Sequence, residues 1–410
     1  MVGIAAAIFA IASEYANDVF KQIISISPYL PFVLTPSLLM LVAFLTNRYF
    51  PGSQGSGIPQ AIAALHRRQH TVRTALISWR IAIGKILLTL LGLLAGASIG
   101  REGPTVHVGA SIMFSLGKWA RFPFHYMDRG LILAGSAAGI AAAFNTPLAG
   151  IVFAIEEMSR SFEQKTSGTI LTAVVLAGIT AIIIQGPYTY FGTTNAVLPL
   201  NVSWLAILVC GVLGGVTGGL FSHVLVKGSR MISPWQKKRP LVVAAVCGLG
   251  IALIGYLSGN TTYGTGYAEA KMLVTGTGQL DASFPIMKFL ASVVSYLSGI
   301  PGGIFAPSLA TGAGLGTMIA GWFSSAPATA IVLLGMVGYF SGVVQAPITA
   351  FVIVMEMSGS EAMLLPLMLT AMIAHGASRL VCPEAVYEAL ALPFLREDWG
   401  KNKEPKPDKS

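Results

Sequence analysis

Gly100-Arg101-Glu102-Gly103-Pro104 places an ionisable carboxylate between two long apolar stretches of the chain. An acidic side chain among lipid-soluble residues is costly, and such residues usually serve a function. The flanking glycines leave main-chain N–H groups open to close approach by a ligand. Pro104 is typical of the first position of a helix, and a helix beginning here directs its partly positive end at an anion. The stretch therefore predicts that Glu102 and a bound anion compete for one site.

The composition is that of a polytopic membrane protein. Of the 410 residues, 54% are hydrophobic and 10% are charged, and the mean hydropathy is +0.71. Soluble domains carry roughly 25% charged residues. The net charge of +9 fits the positive-inside bias of membrane proteins, and we find no basic-aromatic pattern that indicates nucleic-acid binding. The three cysteines have no metal or disulfide spacing, so we expect buried thiols and no metal site.

The apolar runs predict where the membrane helices lie. We expect a retained first helix rather than a cleaved signal peptide, because a basic leader region is absent. Residues 75–99 read as one full-length membrane helix leading to Glu102, and residues 131–155 read as a helix broken at Asn145-Thr146-Pro147. Basic segments at 66–73 and 227–239 predict cytoplasmic loops.

An internal repeat divides the chain. Pro147 and Glu156 align with Pro347 and Glu356 at an offset of 200 residues. The other matched pairs are Gly135 with Gly335 and Gly109 with Gly312. We therefore expect two membrane halves, 1–200 and 201–395, and a mobile cytoplasmic tail at 396–410. The recurrence of Glu156 as Glu356 suggests a structural role for both, and the repeat alone leaves open whether the halves run parallel or inverted. Transporters built from such repeats often bind substrate between the halves.

Three stretches each have two glycines shortly before a proline. They are Gly55-Ser56-Gly57-Ile58-Pro59, Gly100-Arg101-Glu102-Gly103-Pro104 and Gly302-Gly303-Ile304-Phe305-Ala306-Pro307. If these helix starts converge, they form an anion site without a full positive charge, which suits an ion that must both enter and leave. A serine hydroxyl and main-chain amides would donate to the anion. The candidate anion-binding residues here are Gly55, Ser56, Gly57, Arg101, Gly103, Ile304 and Phe305.

The three motifs, in this order, resemble those of the CLC chloride channel and transporter family, in its prokaryotic antiporter branch. The resemblance covers nearly the whole chain. It implies an all-α polytopic membrane protein with an inverted repeat of broken, tilted helices. It also implies a homodimer with a separate pathway in each subunit, embedded in the inner (plasma) membrane with both termini cytoplasmic.

The resemblance also implies roles for individual residues. Tyr387 would coordinate the central anion together with Ser56. Glu102 resembles the external gating glutamate, and Glu157 resembles the internal proton acceptor that distinguishes exchangers from channels. The implied function is a chloride/proton antiporter that is not an enzyme, whose partners are chloride, protons and the lipid bilayer, and which uses no cofactor and binds no nucleotide. Gln60 departs from the family pattern, where many relatives have glutamate.

Several of these residues have a simpler alternative. Glu102 could be a structural carboxylate paired with Arg101. Glu157 could be a solvated helix end, and Tyr387 could be a membrane-interface tyrosine. His107 could serve a proton path, although a packed or hydrogen-bonded histidine is the commoner case.

Three other functions compete with antiport. An uncoupled voltage- or pH-gated chloride channel of the same fold would move chloride without protons. A membrane-embedded hydrolase using Glu102 and His107 would need a catalytic signature such as HExxH or GxSxG, and the sequence contains none. A structural scaffold would show no flux. Proline at position 56 would have pointed to nitrate, and the altered filter motifs of the fluoride branch do not occur here.

Overall fold

The computed structural model describes residues 1–66, 70–120, 124–159, 164–186, 188–194, 196–199 and 204–395. These residues form helices and the segments that connect them. In chain order the helices are α1 (Val2–Ile26), α2 (Pro31–Arg48), α3 (Ile58–His66), α4 (His70–Leu76), α5 (Trp79–Leu94), α6 (Glu102–Trp119), α7 (Phe124–Phe144), α8 (Pro147–Phe153), α9 (Gln164–Gln185), α10 (Leu205–Lys238), α11 (Pro240–Leu257), α12 (Tyr267–Thr275), α13 (Phe284–Leu297), α14 (Phe305–Ala320), α15 (Ala328–Val344), α16 (Pro347–Ser358), α17 (Leu364–Val381) and α18 (Val386–Leu395). A π-helical turn, Ala154–Ser159, continues α8, and a 3₁₀ turn, Glu361–Met363, precedes α17. The tail predicted at 396–410 lies outside the described residues.

The helices are those of a multi-pass membrane protein. Within the described residues, seven helical segments are long and apolar enough to span a bilayer. Many of their large hydrophobic side chains are exposed on outer faces, as a lipid-facing surface requires. The 34 residues of α10 span about 50 Å, well beyond the ~30 Å hydrocarbon core, so α10 must tilt or project from the membrane.

The prediction of one helix over residues 75–99 is wrong. Helix α4 ends at Leu76, and α5 begins only at Trp79 because the Ser78 hydroxyl accepts a hydrogen bond from the Ile81 amide at 3.5 Å and caps the new helix. Helix α5 then ends at Leu94, and the chain turns through Gly96, whose φ of +77° favours glycine. Residues 95–99 therefore lie outside α5 and connect its end to the Gly100–Pro104 motif through a turn.

The helix that carries Glu102 also begins earlier than expected. Helix α6 starts at Glu102 itself, so Pro104 is its third residue rather than its first. Proline is tolerated here because the first N–H groups of a helix have no carbonyl partner within it. The break predicted at Asn145-Thr146-Pro147 is confirmed, because α7 ends at Phe144 and α8 starts at Pro147.

The matched glycines of the repeat are the points at which helices cross. Helix α6 packs on α7, and α14 packs on α15 in the other half. A Cβ added to Gly312 would lie 2.8 Å from the Gly335 carbonyl oxygen, and one added to Gly109 would lie 3.0 Å from the Gly135 carbonyl carbon. Only glycine fits at either crossing, so both halves use the same close helix packing.

The two repeated glutamates cap one another's helices. The carboxylate oxygens of Glu156 accept hydrogen bonds from the second and third amides of α16, at 3.0 and 2.6 Å. Those of Glu356 accept from the second and third amides of α8, at 3.1 and 2.7 Å. This reciprocity requires α8 and α16 to run antiparallel, as in an inverted repeat, and it confirms the structural role suggested for both residues.

We expect Glu356→Ala to destabilise the protein by about 1–2 kcal/mol, because it removes a charged acceptor from a helix N-terminus. Thermal unfolding of the detergent-solubilised protein measures the effect. Glu361→Ala is the control, since Glu361 is exposed on the nearby 3₁₀ turn. Equal unfolding temperatures for the two variants would contradict the capping role.

Candidate functional site

Main-chain hydrogen bonds join the three glycine-proline motifs. The Gly100 amide donates to the Gly303 carbonyl at 2.7 Å, and the Gly303 amide donates back to the Gly100 carbonyl at 2.8 Å. The Gly55 amide donates to the Ile300 carbonyl at 3.1 Å, and the Gly302 amide donates to the Gly55 carbonyl at 3.1 Å. The expected convergence is therefore present, and we refer to this meeting point as the motif junction.

The starts of α3, α6 and α14 surround the motif junction. The first N–H groups of each helix have no acceptor within their own helix. A Cβ added to Gly103 would lie 3.3 Å from the Ser56 Cβ, so glycine at this position lets α6 approach the loop before α3. The junction consequently combines open amides with converging positive helix ends, which favours an anion.

Glu102 is fully buried at the motif junction and does not face lipid. Its carboxylate lies beside its own main-chain N–H and that of Ala306 in the first turn of α14. The Tyr190 hydroxyl donates to Glu102 Oε1 at 3.4 Å. The carboxylate therefore occupies a place that an anion would take.

Two buried hydroxyls meet near Glu102. The side chains of Ser56 and Tyr387 are fully buried and interact with one another. Neither hydroxyl has a hydrogen-bond partner of ordinary geometry among the described residues. Because buried polar groups are nearly always satisfied, two such donors side by side indicate a ligand position.

The main-chain amides of Ile304 and Phe305 could donate to this ligand position. Ile304 precedes the first residue of α14, which is Phe305. The Phe305 ring packs against neighbouring aromatic rings, with centroid distances of 4.9 Å to Phe340, 5.8 Å to Tyr387 and 6.1 Å to Phe153. The side chain thus fills the core and leaves the amides as the available donors.

The side chain of Arg101 lies away from the motif junction. Its Nη1 donates to the Ala10 carbonyl at 2.5 Å and to Glu14 Oε1 at 3.2 Å. The guanidinium carbon lies 5.9 Å from the centroid of the Tyr190 ring. Arg101 therefore lines a separate cavity of about 220 Å³, the outer cavity, which also contains charged residues of α1 and α12. Only the main chain of Arg101 could therefore contact a central anion.

Glu157 lines a different cavity from Arg101. It belongs to the π-helical turn after α8, a distortion that is frequent at functional sites, and only 3% of its surface is exposed. It lines a cavity of about 510 Å³, the inner cavity, together with Glu156, Glu384 and Glu388. The interpretation of Glu157 as a solvated helix end is therefore wrong. Tyr387 interacts with both Glu157 and Ser56, so it connects the inner cavity with the junction.

His107 is a packed histidine in this structure. Its Nε2 lies 2.8 Å from the Leu76 carbonyl oxygen, and its side chain is fully buried. A Cβ added to Gly57 would lie 2.6 Å from the His107 Cβ. The His107 side chain therefore packs against the loop before α3 at Gly57.

Two residues that shape the site could not be assigned to it from the sequence. Tyr190 comes from the connection after α9, where no motif marks it. Lys85 is fully buried on α5, and its Nζ donates to the carbonyls of Gly55 at 2.9 Å and Gln54 at 3.3 Å. The Gln60 amide also donates to the Gln54 carbonyl, at 2.7 Å, a contact that a carboxylate could not make.

A second buried lysine repeats the contacts of Lys85 in the other half. Lys288 Nζ donates to the carbonyls of Gly264 at 2.8 Å and Thr262 at 2.9 Å. Lys288 follows Lys85 by 203 residues, the offset that also separates the prolines of the second and third motifs. The stretch Gly264-Thr265-Gly266 matches Gly55-Ser56-Gly57, so the sequence did contain the signal for this pair.

Comparison with known proteins identifies the family. The profile of the family described as voltage gated chloride channel matches residues 38–379. The H(+)/Cl(-) exchange transporter ClcA of Yersinia pestis bv. Antiqua (strain Angola) is 32% identical over 384 residues, which are 88% of this chain and 77% of that protein. The ClcA of Citrobacter koseri is 33% identical over 360 residues, which are 83% of this chain and 74% of that protein.

Solved structures agree with this result. A slow cyanobacterial Cl⁻/H⁺ antiporter superposes with a TM-score of 0.84 at 26% identity, covering 97% of this chain and 96% of its own. A CLC-type fluoride/proton antiporter shares the fold, with a TM-score of 0.79 at 23% identity over 95% of this chain and 96% of its own. With these matches spanning most of its length, the chain belongs to the voltage-gated chloride channel (CLC) family, in its antiporter branch.

Proposed function

We propose that this chain is a chloride/proton antiporter. The observation that carries the proposal is the buried carboxylate of Glu102, which lies against the first turn of α14 where the three motifs join. The relatives named as H(+)/Cl(-) exchange transporters support the same function. They are transporters, and we assign no enzymatic reaction and no cofactor to the chain.

The exchange follows from competition for one set of donors. Ionised Glu102 occupies an anion position at the amides, and protonation removes the charge that keeps it there. Chloride can then take the position, and its charge in turn disfavours the ionised carboxylate. Binding of a proton to Glu102 and binding of chloride to the amides are thereby linked, so that the two ions are transported in opposite directions.

The anion would be held by the hydroxyls of Ser56 and Tyr387 and by the amides of Ile304 and Phe305. The glycine-lined main chain of the first two motifs, at Gly55, Gly57, Arg101 and Gly103, would complete the shell. Glu157 would exchange protons between the inner cavity and Glu102. Glu157 is buried and lines the inner cavity, and both observations support that role.

The charge distribution supports an orientation in the membrane. Arg230 of α10 pairs with Glu384 of the inner cavity at 2.7 Å, so this cavity opens on the side of the basic segment 227–239. The positive-inside rule assigns that side to the cytoplasm. We propose an inner-membrane homodimer with cytoplasmic termini and one pathway per subunit, in which each subunit consists of the halves 1–200 and 201–395.

Simultaneous measurement of proton and chloride flux from vesicles tests antiport. A chloride gradient should drive protons uphill. Chloride flux without proton movement would instead establish the second candidate, an uncoupled chloride channel. The burial of Glu157 favours antiport over that candidate, because a channel has no need of a carboxylate there.

We expect Tyr387→Phe to weaken central anion binding about fivefold, because the change removes one hydrogen bond and keeps the ring beside Phe305. Calorimetry with chloride or bromide measures the affinity. Tyr339→Phe is a matched control, since Tyr339 is also buried with a hydroxyl that lacks a partner among the described residues, but it lies on α15 against α10. Equal affinities for the two variants would reject Tyr387 as an anion ligand.

A further inference from the structure

A groove of about 490 Å³ lies where the end of α2 meets the junction of α10 and α11. Its lining combines two kinds of side chain. Arg48, Lys238 and Arg239 supply positive charge, and Phe44, Leu241 and Val242 supply an apolar surface. No acidic residue is among the described residues that line it. None of its lining residues belongs to the three motifs, and the groove plays no part in the proposed exchange.

The three cations of the groove make no ion pair with any described residue. Other basic residues on the same side do have partners. Arg230 pairs with Glu384 at 2.7 Å, and Arg80 donates to the Tyr49 carbonyl at 2.9 and 2.6 Å. Three neighbouring positive groups without a counter-charge repel one another, so a bound anion would stabilise them.

The apolar surface of the groove belongs to the lipid-facing side of the protein. Phe44, Leu241 and Val242 are between 40 and 53% exposed, on helices long and apolar enough to span the membrane. Exposed aromatic side chains near the groove, Tyr49 and Trp235, are typical of the membrane–water interface. The cations therefore lie at the depth of lipid headgroups, with hydrocarbon directly beside them.

We propose that this groove binds an anionic phospholipid from the leaflet on the basic side of the protein. The lipid phosphate lies among Arg48, Lys238 and Arg239, and its acyl chains extend along α2 and α11. Basic pockets between membrane helices on the cytoplasmic side select anionic headgroups in this way. The apolar surface favours a lipid over free phosphate, because inorganic phosphate gains nothing from contact with Phe44 and Val242.

Native mass spectrometry of the full-length protein, mixed with phosphatidylglycerol or phosphatidylcholine in detergent, tests the proposal. The wild type should retain phosphatidylglycerol in preference to phosphatidylcholine. The double variant Arg48→Gln/Arg239→Gln should retain it at least about tenfold less, because it loses two favourable charge contacts. Lys237→Gln is the matched control, since Lys237 is an exposed neighbour that does not line the groove, and it should bind as the wild type does.

A second variant separates a lipid from a free anion. Val242→Trp fills the apolar part of the groove and leaves all three cations in place, so it should also reduce phosphatidylglycerol retention. Inorganic phosphate alone should displace little lipid from the wild type. Equal retention of the two lipids, equal retention by the double variant and Lys237→Gln, or full displacement by inorganic phosphate would each overturn the proposal.

Discussion

Glu102→Ala is expected to leave chloride moving while proton transport falls about a hundredfold or more. In the proposed mechanism, the variant removes both the carboxylate that competes with chloride at α14 and the group that carries the proton. Chloride flux should also lose its dependence on pH, because no titrating group remains at the junction to admit or exclude the anion. Paired proton and chloride recordings from vesicles at several pH values measure both effects.

The control for this experiment is Asp18→Asn. Asp18 is a carboxylate of the outer cavity, and it lies on α1 rather than at the motif junction. Its replacement should preserve both coupling and pH dependence. If Glu102→Ala retained pH-driven chloride movement, Glu102 would not be the gate.

Glu157→Gln is expected to stop protons and spare chloride. Glutamine has nearly the shape of glutamate and can still accept a hydrogen bond, but it cannot take up and release a proton at physiological pH. Proton flux should therefore fall by about a hundredfold, while the anion position at Ser56 and Tyr387 stays intact. The same paired recordings separate the two fluxes, and calorimetry checks that chloride still binds.

Glu356→Gln provides the matched control for Glu157→Gln. Glu356 is the capping glutamate of the second half, and its two hydrogen bonds go to α8. We expect this change to lower thermal stability and leave the coupling between proton and chloride unchanged. Full proton transport by Glu157→Gln would remove Glu157 from the proton route and favour another group of the inner cavity.

The sequence predicted the parts of the site that depend on main-chain geometry. Two glycines shortly before a proline have few physical explanations, so three such stretches were enough to predict three helix starts that converge. The repeated glutamates Glu156 and Glu356 were also informative, since a carboxylate at the same place in both halves suggests a structural role. In each case a local pattern determines the local structure.

The features that depend on distant contacts could not be predicted. Tyr190 reaches Glu102 from a connection without a motif, across 88 positions of the chain. The direction of the Arg101 side chain depends on Glu14 and the Ala10 carbonyl, which lie on another helix. The burial of Glu157 depends on a π-helical turn that its own sequence does not mark. Tertiary packing decides all three.

The contacts that tie the two halves together limit how the protein can move. Transporters with inverted repeats often work by rocking one bundle against the other. Here the bridges at Gly55–Pro301 and Gly100–Gly303 cross between the halves, as do the caps from Glu156 and Glu356. A rocking motion of one half against the other would have to break these contacts. We therefore expect exchange to take place within a nearly rigid body, in which, as proposed, movement of the Glu102 side chain replaces the movement of a domain.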